Sequence, residues 1–195
     1  MKSAAVVVVV AAFLSSCSTV MQMRPAETIP VNAKAERTRN DQGLDYSVAT
    51  SIAAPPETVW KLLVDAPGYK SWNTTIVKLE GTIALDSKIE LVSKDAPDQT
   101  FHLTVSTFEP SKRMVWQDGG SMFLGVRNFT LIPIDGGGTT FVMSETFSGG
   151  LLGMIEGSLP DFAPSFDTFA ADLKKAAEAA APAAPAPTEG ANPAP

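Results

Sequence analysis

The chain is short of the residues that most often carry metal and thiol chemistry. Its 195 residues include one cysteine and one histidine. A single cysteine cannot form an internal disulfide. One cysteine and one histidine give zinc or haem ligation no support, and no cofactor is expected. Basic charge is scarce too: 15 Lys and Arg stand against 21 Asp and Glu, for a net charge of −6. No basic stripe is present, which argues against nucleic acid as a partner. A phosphate-binding loop is also missing. Gly136, Gly137 and Gly138 are not followed by a lysine and a helix, so they read as a hairpin turn. The longest apolar run, residues 4–14, is too short to span a bilayer comfortably.

That run instead has the length of a signal-peptide core, after a minimal basic start at Lys2. It ends in Leu14-Ser15-Ser16-Cys17, which resembles a bacterial lipobox: an aliphatic residue, two small ones, then the cysteine that is acylated. Residues 1–17 are therefore expected to be a lipoprotein signal peptide, with Cys17 as the lipidation site. Two or more acyl chains would hold the protein firmly on a membrane, at about 0.8 kcal/mol per buried methylene. Ser18 in place of an aspartate leans, by the same resemblance, toward the periplasmic face of the outer membrane. Residues 18–43 are polar and mixed in charge without sustained periodicity, and read as a flexible tether. Residues 181–195 are rich in Ala and Pro and read as a disordered tail. The folded domain is expected over residues 44–180.

Within that domain, alternation predicts strands over residues 44–52, 75–80, 88–93, 101–108, 113–117, 125–134 and 139–147. Asp135-Gly136-Gly137-Gly138 is a hairpin signal between the last two. Several hairpin-linked strands in a row imply an antiparallel sheet. After Gly149-Gly150, Phe166, Phe169 and Leu173 recur at helical spacing. Pro160 and Pro164 interrupt the earlier part of this apolar run, so a break near residues 157–160 and a main helix over 163–180 are expected.

The segment most specific for fold is residues 52–73, IAAPPETVWKLLVDAPGYKSWN. Pro55 and Pro56 suit the first turn of a helix, and Glu57 complements its N-terminal dipole. Val59, Leu62 and Leu63 form an apolar face, and Asp65-Ala66-Pro67-Gly68 stops the helix. With Ala54, Pro55, Glu57, Val59, Trp60, Gly68, Tyr69, Trp72 and Asn73 in register, the segment resembles the signature of the polyketide cyclase/START-like (SRPBCC) superfamily. A second motif with Gly138, Thr139, Phe141, Glu145, Phe147, Ser148, Gly149 and Leu151 adds to the resemblance. It implies an α+β helix-grip fold: a curved antiparallel sheet of about seven strands wrapped around a long C-terminal helix, with two short helices between strands one and two. It also implies a ligand cavity between sheet and helix. Function does not follow from fold here, because the superfamily spans carriers, cyclases and hormone receptors.

Face assignment brings two charged residues inward. Arg127 shares a face with Phe129 and Leu131, and Glu145 with Phe141, Met143 and Phe147. Apolar residues of neighbouring strands must meet, which places Arg127 opposite Glu145 or one diagonal step away. An unpaired inward charge is too costly, so an ion pair is expected. It would either orient a ligand head group or close the sheet structurally, and the structural role is preferred. His102 falls on the outer face, which opposes Ser-His-Asp chemistry. Asp86, Asp95, Asp98 and Glu109 read as solvated turn residues. Met122-Phe123-Leu124 is an apolar loop tip that would have to cover the pocket or touch membrane.

Three readings of function follow. In the first, the domain is a non-catalytic, lipid-anchored binding module for a small hydrophobic or amphipathic ligand, such as a lipid, isoprenoid or polyketide-like molecule. Phe101, Leu103, Trp116, Phe129, Met143, Phe147 and Phe166 would form its walls, Trp72 and Asn73 its rim, and Arg127 with Glu145 its polar handle. In the second, an enzyme of cyclase, dehydratase or hydrolase type uses Glu145 as base, helped by Arg127; a guanidinium partner makes a carboxylate a poor base. In the third, side chains fill the cavity and the domain is structural. Volume separates them: below roughly 300 Å³ a carrier cavity is not present.

Overall fold

The computed structural model describes residues 24–181. Cys17, the signal peptide and residues 182–195 of the tail lie outside the described residues. Eight strands form one antiparallel sheet: β1 (Glu36–Arg39), β2 (Leu44–Ile52), β3 (Ile76–Glu80), β4 (Lys88–Ser93), β5 (Ala96–Glu109), β6 (Arg113–Gly119), β7 (Leu124–Ile134) and β8 (Gly138–Ser148). Their spatial order is β1-β2-β8-β7-β6-β5-β4-β3. Two short helices, α1 (Pro56–Val64) and α2 (Tyr69–Trp72), join β2 to β3. After β8 come a four-residue helix α3 (Leu152–Ile155), a 3-10 turn (Glu156–Ser158) and the long helix α4 (Ala163–Ala180). This is the α+β helix-grip architecture expected from the sequence.

Pro56 occupies the first turn of α1, and the carbonyl of Pro55 accepts the N–H groups of Thr58 and Val59. The buried face is Val59, Trp60 and Leu63. The Tyr69 hydroxyl donates to the Leu63 carbonyl at 2.9 Å, satisfying one of the orphan acceptors at the end of α1. On α4, Phe166, Phe169, Ala170, Leu173 and Ala177 make the buried stripe.

Hydrophobic burial alone does not fix where a helix lies along a sheet. Three carboxylates on α4 do so by accepting backbone N–H groups from separate segments. Asp167 accepts from Ala35 at 2.6 Å, Asp172 from Thr74 at 2.8 Å, and Glu178 from Ala53 at 2.9 Å. Lys174 adds a bond to the Ser51 carbonyl at 2.5 Å. The bond from Ala53, with a smaller contribution from Lys174, holds the Glu178 carboxyl below the usual glutamate range.

Within the segment read as a flexible tether, residues 24–43 take up defined structure. It contains a 3-10 turn (Ala26–Thr28) and an edge strand, β1, paired with β2, and this strand makes eight where about seven were expected. Its ERTR sequence has no apolar period because it is an edge held by charge. Ile29 also covers the convex face of the sheet, packing with Ala49 and Val142 in a second small core. That cover explains why Ala49, on the face of β2 opposite Val48, is fully buried.

Candidate functional site

A row of residues runs across the concave face in direct cross-strand register. Val105 pairs with Trp116, Trp116 with Arg127, Arg127 with Glu145, Glu145 with Tyr46, and Tyr46 with Arg37. Alternation puts every member on the same side, facing α4. The expected ion pair is therefore a directly opposed one. Arg127 donates from Nε at 3.1 Å and from Nη2 at 2.6 Å, both to Oε2 of Glu145. The guanidinium also lies over the Phe166 ring, 5.6 Å from its centroid, a cation–π distance. At the far end of the row Arg37 donates to the Tyr46 hydroxyl at 3.1 Å and to Glu156 at 2.9 Å.

Between this row and α4 lies a cavity of about 160 Å³. Eight residues expected at the site line it: Phe101, Leu103, Trp116, Arg127, Met143, Glu145, Phe147 and Phe166. Three expected residues do not. Trp72 packs behind the wall against Tyr69 and Phe169, with ring centroids 4.7 and 5.6 Å away. Phe129 is fully buried among Trp116, Phe141 and Phe169, where helix and sheet meet directly. Asn73 is buried, and its Oδ1 accepts the backbone N–H groups of Thr75 and Ile76 at 2.9 and 2.8 Å, a turn-stabilising role.

Apart from Arg127 and Glu145, the polar part of the lining escapes sequence reading. Thr75, Ser93, Asp95, Gln99, Asp118 and Ser165 all contribute. Asp95 was expected to be a solvated turn residue; it faces the cavity instead and accepts from Ser165 at 2.8 Å. Phe123, Phe162 and Phe169 add to the apolar wall. Phe123 gets there through two glycines in the left-handed region. Gly119 has φ 97° and Gly149 φ 113°; a Cβ on the first would fall 2.1 Å from the Phe123 carbonyl oxygen, and on the second 2.6 Å from that of Met122. These close approaches fold the apolar loop inward, so that Phe123 stacks on Phe147 at 5.8 Å while Met122 stays 58% exposed.

The volume is about half the lower end for ligand pockets, roughly 300 Å³. Aromatic rings take up the difference. Phe147, Phe162 and Tyr46 sit edge to edge or tilted within 6.3 Å of one another, and Tyr46 also meets Phe166 at 5.8 Å. A preformed carrier cavity for a whole lipid or isoprenoid is thus not present in this conformation. A dry apolar cavity of about 150 Å³ does accept benzene, so the space is that of a single ring or a short acyl segment.

Burial pushes the Tyr69 hydroxyl well above the usual tyrosine range, against a smaller opposing effect of Arg127. His102 lies on the outer face, with a 71% exposed side chain 3.6 Å from Glu90. Among the described residues, no group of three His, Cys, Asp or Glu is placed to hold a metal ion.

The fold is shared with solved structures of low sequence identity. A conserved protein of unknown function from Enterococcus faecalis superposes with a TM-score of 0.55 at 16% identity, over 74% of this chain and 77% of that one. A protein from Thermus thermophilus gives 0.55 at 18% identity, over 71% and 99%. A protein of unknown function from Staphylococcus aureus gives 0.55 at 12% identity, over 76% and 98%. No curated protein matches the chain. The family described as polyketide cyclase / dehydrase and lipid transport matches residues 44–178, the span from the start of β2 nearly to the end of α4. The chain therefore belongs to the polyketide cyclase / dehydrase and lipid transport family.

Proposed function

We propose that the domain binds a small apolar or amphipathic molecule between the sheet and α4, without transforming it. The observation that carries this reading is the cavity itself: an apolar space whose floor holds a directly opposed Arg127–Glu145 pair. Family membership supports a ligand-binding role, since the family description names lipid transport beside cyclase and dehydrase chemistry. Binding is favoured over catalysis because the only carboxylate in the cross-sheet row already accepts two bonds from Arg127 on one oxygen. A base engaged in this way has only its second oxygen left to take a proton.

The size of the ligand is set by the volume. A single ring or short chain fits as the cavity stands, and anything larger has to displace Phe162 or Phe166. The same volume supports a second reading, in which the aromatic side chains are the filling and the domain is structural. The signal-like apolar run and Cys17 support attachment to a membrane by acyl chains, on the periplasmic face of an outer membrane. Native mass spectrometry of protein purified from its own membrane tests the binding reading. A co-purifying adduct of single-ring size supports it. Failure of every single-ring probe to bind in solution favours the structural reading.

A further inference from the structure

Residues 119–126 and 146–155 carry no charged side chain, in a chain where 18% of residues are charged. Backbone bonds join the two segments at one end of the sheet. The Ser121 carbonyl accepts from Gly150 at 3.2 Å, and the Met122 carbonyl from Leu151 at 2.9 Å. Met122 is 58% exposed, and Met154, in the helical turn that follows Leu151, is 80% exposed. Val77, Leu85 and Ile134 are also exposed, but each adjoins a charged residue: Lys78, Asp86 and Asp135. The two methionines instead stand on one uncharged rim, the kind of surface that marks an interaction site. A surface that meets lipid must also satisfy its own backbone. The N–H groups of Gly120, Gly150, Leu151, Leu152, Met154 and Ile155 all donate to carbonyls within the rim.

The chain outside the described residues says what this rim meets. Six residues, 18–23, separate Cys17 from Arg24, and seven steps of extended chain reach at most about 25 Å. Arg24 donates to Glu36 at 2.8 Å and shares a surface hollow with Asn40 and Asp41 of the β1–β2 turn. That turn is at the rim's end of the sheet: Leu44 pairs with Phe147, and Arg39 donates to Glu156 just beyond Met154. The β7–β8 ribbon, eleven residues in each strand, is about 35 Å long. With the opposite end of the sheet on a membrane, the β1–β2 turn would stand farther off than the tether reaches.

Resting on the attachment through Cys17 proposed above, we infer that the rim carrying Met122 and Met154 docks on the phospholipid surface that holds the acyl chains. Gly119 and Phe123 of the same rim line the cavity, so docking turns that wall of the cavity toward the bilayer.

The test uses the full chain, acylated in cells and reconstituted in vesicles of phosphatidylethanolamine and phosphatidylglycerol. Cys17 is the only cysteine, so in acylated protein a new cysteine is the only free thiol. Met122→Cys, Met154→Cys and Leu85→Cys are each labelled with a fluorophore that shifts to the blue in lipid. Spin-labelled phospholipids serve as quenchers. The expected result is a blue shift and loss of emission at positions 122 and 154, and neither at 85, which lies at the opposite end of the sheet. Adding Met154→Glu to the label at 122 should remove the quenching while the protein still sediments with vesicles. Equal quenching at all three positions, or none at 122 and 154 in protein that sediments with vesicles, overturns the docking and leaves the anchor standing. Protein that does not sediment with vesicles overturns the attachment and the docking together.

Discussion

Arg127 grips Glu145 by a single oxygen: Nε and Nη2 both reach Oε2, at 3.1 and 2.6 Å, across the directly paired strands β7 and β8. Their side chains are 20% and 13% exposed, so the pair is shielded without being sealed. Such a pair contributes mainly by what its loss would leave behind. Glu145→Gln removes the charge of the acceptor and leaves Arg127 unneutralised beside Phe166. The expected result is a loss of about 1–3 kcal/mol in unfolding free energy, measured by urea denaturation. Affinity for a single-ring hydrocarbon such as cumene should change little, since it uses neither charge. An unchanged denaturation midpoint would show that the pair does not hold the sheet.

The edge strand should control the segment that leads from β8 into α4. Arg37 and Arg39 on β1 donate to the two oxygens of Glu156, each at 2.9 Å, in the turn between α3 and α4. Glu156→Gln should therefore speed backbone hydrogen exchange over residues 151–159 and leave the rest of the sheet unchanged. Local opening of this kind draws on few buried contacts. Uniform acceleration across the domain would contradict a local latch.

Acid should weaken the attachment of α4 at its C-terminal half. The folded-state pKa of Glu178 is depressed, first by the bond from Ala53 and then by Lys174. Its contribution to stability is thus fully present above the unfolded glutamate value, about 4.3, and is lost as pH falls through the lower folded value. Glu178→Gln should flatten the acid limb of the stability curve by a few tenths of a kcal/mol, the scale of a solvent-screened pair. The variant and wild type should converge at the lowest pH. A difference that persists there would assign the effect to packing.

Cys17→Ala should release the protein from the membrane fraction of cells that express the full chain, because one acylated residue supplies the anchor in this account. Continued sedimentation with membranes would refute lipid anchoring through that residue.

The parts of the fold that follow from local rules were legible in the sequence. Pro160 and Pro164 bracket the start of α4, and its bounds, Ala163–Ala180, agree with the sequence expectation. Period-two alternation was enough to bring Arg127 opposite Glu145 or one diagonal step away, because a one-residue slip would turn Phe129 and Phe141 to solvent; the strand register makes the pair directly opposed. Alternation has no purchase on α2, a four-residue helix, so Trp72 was placed at the rim when it packs behind the wall. Nor does it measure depth. Phe129 shares a face with the lining residues but lies where α4 touches the sheet. The inward turn of Phe123 depends on backbone approaches at Gly119 and Gly149 that no residue pattern encodes. β1 was hidden because an edge strand joined by charge needs no apolar period.

The central claim is that the space between sheet and α4 accepts a small molecule, and chemical-shift mapping with acetophenone tests it most directly. The account predicts shifts concentrated on cavity residues such as Leu91, Trp116, Met143 and Phe166, and their disappearance in Leu103→Trp, which fills the space from the β5 side. Shifts confined to the outer face of the sheet, or none at concentrations where single-ring molecules enter comparable cavities, would contradict it.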